Sequence, residues 1–514
     1  MNSKEDFLFW SLANYFVTQH DYRLLQMKGN DWELWLENTS NKEAKIIRIL
    51  RQNVDWSNWM QRDIETIANI AERYRKRFIR SELQMINLYI TPYPPVDDYR
   101  FRIEKAYQAP GSKKTNVHTM LIQPSQLESS LEQLSELLKK PIAITLEEDY
   151  ETQTILALKQ TTLEYLVKKA KQEKAIFQNG KPRFTYVFLV VQIAILLLME
   201  IMGGSTNSAT LIKFGAKFNP LILEGEWWRF FTPIFLHIGF LHLFMNSLAL
   251  FYLGPLVERI FGNARFIVIY LFAGFLGSLA SFVTSPNLSA GASGAIFGCF
   301  GALLYFGVMN PKLFFRTMGA NILFVIGLNL VFGFTVQGID NAGHIGGLVG
   351  GFLAAGITHF PKLKKPLLQV FFTVASAAIV FFGLQYGYGE TTKVLDSHSS
   401  FVLAQMYVEK EEYEQAYSVL KDVQASGDKS ADLLFLLSYV EIQKGMTSQA
   451  EDHLMNVVEI DPNFHEAFYN LALLNINNQE LIKAKENAMA AYNIEPDRKE
   501  YKDLLNEING YLTR

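Results

Sequence analysis

The chain has 514 residues, so two to four domains are expected rather than a single core. Hydrophobic residues make up 49% of the chain and charged residues only 19%, and the mean hydropathy is +0.07, which argues against a wholly soluble protein. The net charge of −3 gives no basis for a nucleic-acid binder, and the single cysteine, Cys299, excludes an intrachain disulfide.

Residues 1–178 have the composition of an ordinary soluble domain. Short alternating apolar stretches within 22–50 predict an antiparallel meander of strands. The other predicted elements are strands at 85–90, 117–122 and 142–146 and helices at 56–82, 126–138 and 150–174. The opening MNSKEDFLFW has acidic residues where a signal peptide is basic, so no cleaved leader is expected. We predict a soluble α/β domain here.

Seven apolar segments follow, each near the length of about 20 residues that crosses a bilayer. They are 184–204, 239–257, 266–285, 290–309, 319–336, 342–359 and 366–385. Several are rich in glycine, which packed membrane helices use for close approach. These segments predict a membrane domain of seven spans over 179–388.

Lysine and arginine are distributed unevenly between the connections. Basic residues crowd the start of the first span and three alternate connections: Lys168, Lys169, Lys171, Lys174, Lys181, Arg183, Arg259, Arg265, Lys312, Arg316, Lys362, Lys364 and Lys365. The opposite connections 286–289 and 337–341 carry none. This predicts a cell-membrane protein with a cytoplasmic N-terminus and an extracellular C-terminus. The connection 205–234 is an exception, since it holds Lys213, Lys217 and Arg229 on the side predicted to be external.

The C-terminal region, 393–514, contains an internal repeat. Three sets of residues recur at a spacing of 34: Leu403, Leu437 and Leu471; Ala416, Ala450 and Ala484; and Pro462 with Pro496. A 34-residue period with small residues at the helix crossing resembles the tetratricopeptide repeat. We therefore predict an all-α domain of three repeats over 397–498 and a capping helix over 501–512.

Two polar residues in the glycine-rich spans are candidates for catalysis. Ser293 lies in GASGAIFG at the start of the fourth span, and His344 lies in NAGHIGGLVGG at the start of the sixth. Serine in a membrane helix often bonds only to its own backbone, and histidine can be satisfied by a carbonyl. An ionisable residue at membrane depth is nevertheless a functional hypothesis by default. Small residues beside both candidates predict that the two helices approach closely enough for a serine–histidine hydrogen bond.

The second span, in HIGFLHLFMN, supplies candidate oxyanion donors. His242 and Asn246 are four residues apart and so share a helix face. Amide hydrolysis creates an oxyanion, which donors in a low-dielectric site can stabilise. The Asn246 amide, the His242 imidazole and the backbone N–H of Ser293 are the predicted donors. Helix-packing polar groups are the alternative interpretation.

These motifs closely resemble the rhomboid intramembrane serine proteases over residues 180–385. The matching motifs are GxSG at Gly291, Ser293 and Gly294, HxxxN at His242 and Asn246, His344 in its glycine-rich span, and the pair Trp228 and Arg229 in EWWRFFTPIFLH; His237 and Phe297 are supporting residues. The resemblance implies a six-helix core, a Ser293–His344 dyad open to water on the external side, and membrane-protein substrates. The seventh span is an addition to that core.

One position departs from the family pattern, because Phe297 stands where an aromatic that is often tyrosine packs beneath the catalytic histidine. The family needs no acidic third member, so Asp340 is interpreted as an exposed loop residue. No cofactor, metal ligand or nucleic-acid partner is expected, although Glu147, Glu148 and Asp149 form an acidic turn. The repeats and the N-terminal domain are candidate protein-binding modules that recruit or regulate.

Two rival interpretations come from other functional classes. A rhomboid-like pseudoenzyme that binds and routes membrane proteins would lack the serine or the histidine, whereas this chain has both. A transporter or channel would need charged residues along a midplane path, whereas the polar residues here cluster near one end of the spans. We therefore predict a serine endopeptidase.

Overall fold

The computed structural model describes residues 3–28, 32–79, 81–147, 150–336, 338–389 and 397–512. The chain forms two compact units. The first unit contains 1–179 together with 306–325, and the second contains 180–305 together with 326–514.

A six-stranded sheet organises the N-terminal region, in the order β1-β2-β3-β4-β6-β5. Its strands are β1 (Arg23–Lys28), β2 (Glu33–Glu37), β3 (Ile46–Arg51), β4 (Leu83–Ile90), β5 (Tyr107–Gln108) and β6 (Thr115–Ile122). The first three strands pair antiparallel, which confirms the predicted meander, and β3, β4 and β6 run parallel. The parallel part requires crossover connections, and helix α2 supplies the first of them.

Helices cover both faces of this sheet. They are α1 (Ser3–Gln19), α2 (Ser57–Tyr74), α3 (Arg100–Ile103), α4 (Leu127–Leu138) and α5 (Thr152–Ile176). A large apolar cluster joins α1, α4 and α5 to one face, and a smaller cluster joins α2 to the other. The predicted helices at 126–138 and 150–174 are confirmed, and the helix predicted over 56–82 ends earlier, at Tyr74, before a π-helical turn at Arg75–Ile79.

The strand predicted at 142–146 is wrong. Residues 141–147 have no regular structure, although Ile142, Ile144 and Leu146 pack against the cluster beneath α1. Their alternation buries one side of an extended segment against the apolar cluster, and no strand among the described residues pairs with it. The α1 helix was not predicted.

Seven helices occupy the predicted apolar segments. They are α6 (Phe184–Ile201), α9 (Gly239–Phe261), α10 (Asn263–Thr284), α11 (Ser293–Met309), α13 (Gly319–Thr335), α14 (Asn341–Thr358) and α15 (Pro366–Gly387). Among the described residues, α6, α9, α10 and α15 are long and apolar enough to cross a membrane. The pair α12 (Pro311–Thr317) and α13, bent by 73°, makes five if it counts as one span. Helix α11 has only 17 residues, and α14 is outside this set, so the count of seven spans stays a prediction.

The connection between α6 and α9, residues 202–238, is folded into short elements. These are α7 (Ser208–Lys213), α8 (Asn219–Leu223) and two 3₁₀ turns, Trp227–Phe230 and Thr232–Phe235. In the first turn Trp227 and Trp228 are exposed while Arg229 and Phe230 are buried. Such a split is typical of a segment at a membrane interface.

Helix pairs form the C-terminal region. They are α16 (Ser397–Glu409) with α17 (Tyr413–Ala425), α18 (Ala431–Gln443) with α19 (Thr447–Ile460), and α20 (His465–Asn477) with α21 (Leu481–Ile494), followed by α22 (Lys499–Leu512). The first helices of the pairs begin at Ser397, Ala431 and His465, which keeps the 34-residue spacing. Ala416, Ala450 and Ala484 are fully buried where the helices cross. The predicted three repeats and capping helix are confirmed as helical elements.

Candidate active site

Ser293 is the first residue of α11 and follows the irregular segment 285–292. Its backbone N–H therefore has no acceptor within the helix and lies at the positive end of the helix dipole. Gly291 has a φ of +152°, which favours glycine. A Cβ added there would lie 2.8 Å from Cε1 of His242. Glycine at 291 thus permits both the turn into α11 and the approach of the His242 ring.

His344 lies in the first turn of α14. Asp340 caps that helix by accepting a hydrogen bond from the Gly343 N–H at 2.8 Å. The His344 ring stacks on Phe297 with ring centroids 4.3 Å apart and planes 8° apart. Ser293 and Phe297 are four residues apart and so share a face of α11. His344 therefore lies over the face of α11 that begins with Ser293.

Glycines bring α11 and α14 into backbone contact. A Cβ added at Gly294 would lie 3.2 Å from the Gly343 carbonyl oxygen. A Cβ at Gly347 would overlap the Gly294 carbonyl, and one at Gly351 would overlap the Gly298 carbonyl. The predicted close approach of these two helices is confirmed.

Ser293 and His344 are neighbours without a direct hydrogen bond. Among residues 150–336 and 338–389, no hydrogen bond joins the two side chains, and the buried Nδ1 of His344 has no partner. Hydrogen bonds between catalytic groups are often long in the absence of substrate and tighten when it binds. The arrangement supplies a hydroxyl beside an imidazole with one ring nitrogen uncommitted.

The two histidines before and within α9 reach the segment that precedes Ser293. His237 is fully buried, and its Nε2 accepts a long hydrogen bond, 3.5 Å, from the Ala292 N–H. The His242 ring lies 5.3 Å from the His237 ring, and its Nδ1 accepts from the Ile238 N–H at 3.4 Å. The other ring nitrogen, Nε2, faces Gly291, where an added Cβ would lie 3.0 Å from it.

Asn246 is less directly placed. It is 7% exposed, and its amide donates to the His242 carbonyl at 3.0 Å within α9. Among the described residues no hydrogen bond connects it to 290–293. One of its two amide hydrogens thus serves its own helix, which leaves a single N–H for another acceptor.

The Trp228–Arg229 pair lies in the 202–238 connection and braces it. Arg229 is buried, pairs with Glu226 at 2.5 Å, and donates to the carbonyl oxygens of Ile212 at 2.8 Å and Ala216 at 3.0 Å. Trp228 is 42% exposed. These contacts give the pair a structural role in the connection.

Two residues were misjudged from the sequence. Asp340 is half-buried and caps α14, so the interpretation as an exposed loop residue is wrong. The sequence did contain a sign of this cap, because an aspartate just before a helix commonly accepts a hydrogen bond from the N–H three residues later. From the sequence, Lys217 was only an exception to the distribution of basic residues between the two sides of the membrane. In the structure it is completely buried.

No cofactor or metal role is assigned. Among the described residues, no group of three or more histidine, cysteine, aspartate or glutamate side chains is arranged to hold a metal ion. Glu148 and Asp149 of the acidic turn lie outside the described residues.

Known proteins resemble this chain at two levels. A family model described as the Rhomboid domain matches residues 224–361. The Rhomboid protease GluP of Bacillus subtilis (strain 168) is 39% identical over 476 residues, 91% of this chain and 91% of that protein. The Putative rhomboid protease YdcA of the same organism is 38% identical over 138 residues, which are 26% of this chain and 69% of that protein.

Similarity extends beyond bacteria and, more weakly, to repeat proteins. RHOMBOID-like protein 5 of Arabidopsis thaliana is 34% identical over 37% of this chain and 68% of its own length. A solved tetratricopeptide-repeat protein, YrrB, aligns with 29% of this chain and 78% of its own at 18% identity, with a TM-score of 0.23. The repeat assignment rests on the helix pairs and their spacing.

The family match and the apolar helices together make this a multi-pass membrane protein. Since its relatives are named as rhomboid proteases, its activity is that of an intramembrane protease, a hydrolase. The chain belongs to the rhomboid protease family.

Proposed function

We propose that the chain is a serine endopeptidase that cleaves membrane proteins with Ser293 as nucleophile and His344 as general base. The observation that carries this proposal is the contact between Gly294 and Gly343, which are the neighbours of the two residues in sequence. Stacking of His344 on Phe297 supports it, because the imidazole then faces the start of α11. Nucleophile and base within reach of each other are the signature of covalent catalysis.

The chemistry then follows the usual order for a hydroxyl nucleophile. The Ser293 oxygen attacks the scissile carbonyl while His344 accepts the hydroxyl proton, and the same imidazole returns a proton to the leaving amine. Water hydrolyses the resulting acyl-enzyme. The α11 N-terminus supplies the Ser293 N–H for the oxyanion, and His242 beside Gly291 supplies a second donor. Asn246 is the third proposed donor.

The orientation is proposed from the distribution of basic residues, with the N-terminus cytoplasmic and the C-terminus extracellular. Buried Lys217 and Arg229 do not contradict this proposal, because their charges are satisfied inside the fold, whereas exposed Lys213 remains an exception. The two buried residues therefore do not count as free charges of the 202–238 connection. A reporter that works only in the cytoplasm should be active at the N-terminus and inactive when it is fused to the C-terminus.

The flanking domains, proposed at 1–178 and 393–514, recruit substrates or partners or regulate the protease. Stacked repeats present an extended surface that suits protein binding. The described part of each domain holds hydrophobic clusters of its own, as expected for modules added to an enzyme core.

The direct test uses purified full-length protein and a model substrate with one membrane span. Ser293→Ala and His344→Ala should each abolish measurable cleavage, and the double variant should be no worse than either, since residues acting as one unit are not additive. Ser376→Ala is the matched control, because this serine is 4% exposed in α15 and its hydroxyl has no partner. It should retain full activity.

A second readout separates folding from chemistry. A fluorophosphonate reagent, which reacts with activated serine hydroxyls, should label the protein and the Ser376→Ala control but not Ser293→Ala. Robust turnover by folded Ser293→Ala would contradict the proposal.

A further inference from the structure

Lys217 is completely buried in the 202–238 connection. Its ammonium donates hydrogen bonds to the carbonyl oxygens of Ser285 at 2.7 Å and Asn287 at 2.9 Å. Ser285 follows the last residue of α10, where the helix dipole concentrates negative charge. Burying an ammonium in a membrane protein is costly, so a lysine kept here calls for an explanation beyond packing.

The same residue also holds the chain next to Ser293 through its backbone. The Lys217 N–H donates to the Ser289 carbonyl at 2.9 Å, and the Ser289 N–H donates to the Lys217 carbonyl at 3.0 Å. These four hydrogen bonds of Lys217, together with one from the Asn219 amide to the Ser285 carbonyl at 3.2 Å, tie the segment 285–289 to the connection. Ser293 follows only four residues later, so the position of this segment sets where α11 begins.

The Ser289 side chain extends the contact to the helix that carries His344. Its hydroxyl donates to Asp340 Oδ2 at 2.7 Å. The other carboxylate oxygen accepts from the Gly343 N–H at 2.8 Å, one residue before His344. A single hydroxyl therefore links the segment before the nucleophile to the first turn of the helix that holds the base.

We propose that Lys217, Ser289 and Asp340 are positioning residues that hold Ser293 and His344 in register. This inference rests on the proposed function. Catalytic groups must be held within about 0.5 Å of their productive geometry. The hydrogen bonds of Ser289 and Asp340 add directional contacts to the glycine packing and the Phe297–His344 stacking that join α11 and α14. Asp340 acts through the backbone of α14, because its carboxylate accepts hydrogen bonds from the Ser289 hydroxyl and the Gly343 N–H.

The Ser289 hydroxyl offers the sharpest test because the Lys217 backbone bridge survives its removal. Ser289→Ala should lower kcat about tenfold with KM within roughly twofold, since a small misplacement of reacting groups is expensive. Ser289→Thr keeps a hydroxyl and should restore most of the rate. Equal kcat for the alanine variant and the unmodified protein would overturn the inference, as would a failure of threonine to exceed alanine.

Lys217→Met removes the ammonium at similar volume, and Lys213→Met is its control because Lys213 is exposed in the same connection. Lys217→Met should lower kcat at least as much as Ser289→Ala per folded molecule, with Lys213→Met unchanged. If Lys217→Met fails to fold, the comparison of Ser289→Ala with Ser289→Thr still tests the positioning role. Ser293→Ala in the same series distinguishes the two claims. Cleavage by Ser293→Ala would contradict the proposed function. If Ser293→Ala is inactive and Ser289→Ala is fully active, only the positioning role is contradicted.

Discussion

Charged residues buried among the membrane helices are matched to helix ends. Glu258 has no exposed surface and accepts hydrogen bonds from the backbone N–H groups of Arg183 at 2.9 Å and Phe184 at 3.0 Å, at the start of α6. Lys217 donates to carbonyls at the end of α10. An anion at a helix N-terminus and a cation at a C-terminus both oppose the helix dipole, which offsets part of the cost of burial. Such charges therefore say little about membrane orientation.

The proposed oxyanion donors differ in how closely they approach the segment before Ser293, which leads to a graded prediction. His242 lies against Gly291, whereas one amide hydrogen of Asn246 is used within α9. Loss of one well-aimed donor typically costs about 10²–10³ in kcat. We expect His242→Ala to lower kcat by about this factor with KM little changed, and Asn246→Ala to lower kcat by less. Steady-state kinetics on the model substrate measures both.

The control is Asn329→Ala, which removes an exposed amide from α13. It should leave both constants unchanged. If Asn246→Ala and His242→Ala alter only KM, the two residues are packing groups and the Ser293 N–H is the remaining donor.

At the scale of elements, the sequence predicted those helices and strands whose formation depends on a local pattern of apolar residues. The strands β1 to β3 follow from alternation and the repeat helices from their period, and both are confirmed. The segment 142–146 has the pattern of a strand yet pairs with no strand among the described residues, because pairing depends on a neighbouring strand and not on local alternation alone. The α1 helix has little amphipathic contrast because so much of its surface is buried, including Phe9, Trp10 and Phe16.

At the candidate site too, features with a local sequence pattern were predictable and long-range contacts were not. Glycine spacing predicted the contact between α11 and α14, and motif residues predicted which side chains approach it. The hydrogen bonds that Lys217 donates to Ser285 and that Asp340 accepts from Ser289 were not predictable, since they join segments that are far apart in sequence and meet only when the helices pack. Long-range polar contacts between irregular segments leave no periodic signal.

The α11–α14 crossing should tolerate no added volume. A Cβ at Gly347 would overlap the backbone of Gly294, which cannot move aside as a flexible side chain could. Gly347→Ala is expected to destabilise the protein by about 2 kcal/mol, the usual range for overpacking. That corresponds to a fall in Tm of about 4–8 °C. A thermal melt in detergent measures it.

Gly327→Ala is the matched control, because a Cβ at Gly327 in α13 would meet no atom within 4 Å. Alanine favours helix more than glycine does, so this variant should melt at the same temperature or slightly higher. An unchanged Tm for Gly347→Ala would show that the two helices can separate without cost.

At the scale of the whole molecule, the repeats pack on the protease domain within the second unit. Leu403 of α16 is 3% exposed and lies in one cluster with Ile212, Phe218 and Leu221 of the 202–238 connection. Tyr407 donates a hydrogen bond to Glu224. The sequence could not reveal this contact, because Leu403 falls at a repeat position whose counterparts, such as Leu437, pack inside the array. The 34-residue repeat alone explains a leucine at position 403, so nothing in the sequence indicated a second contact.

Removal of the repeats should separate recruitment from chemistry. All proposed catalytic residues lie between 237 and 344, so deletion of 397–512 should leave cleavage of the model substrate within about one order of magnitude, roughly 1.4 kcal/mol in barrier height. Leu403→Asp should undock α16 while keeping the array, and Leu473→Asp, at a site 41% exposed on α20, is its control. Processing of natural substrates in cells, compared by membrane proteomics, should fall for the deletion and for Leu403→Asp. A well-folded deletion variant that cleaves no substrate would place the array in the catalytic machinery itself.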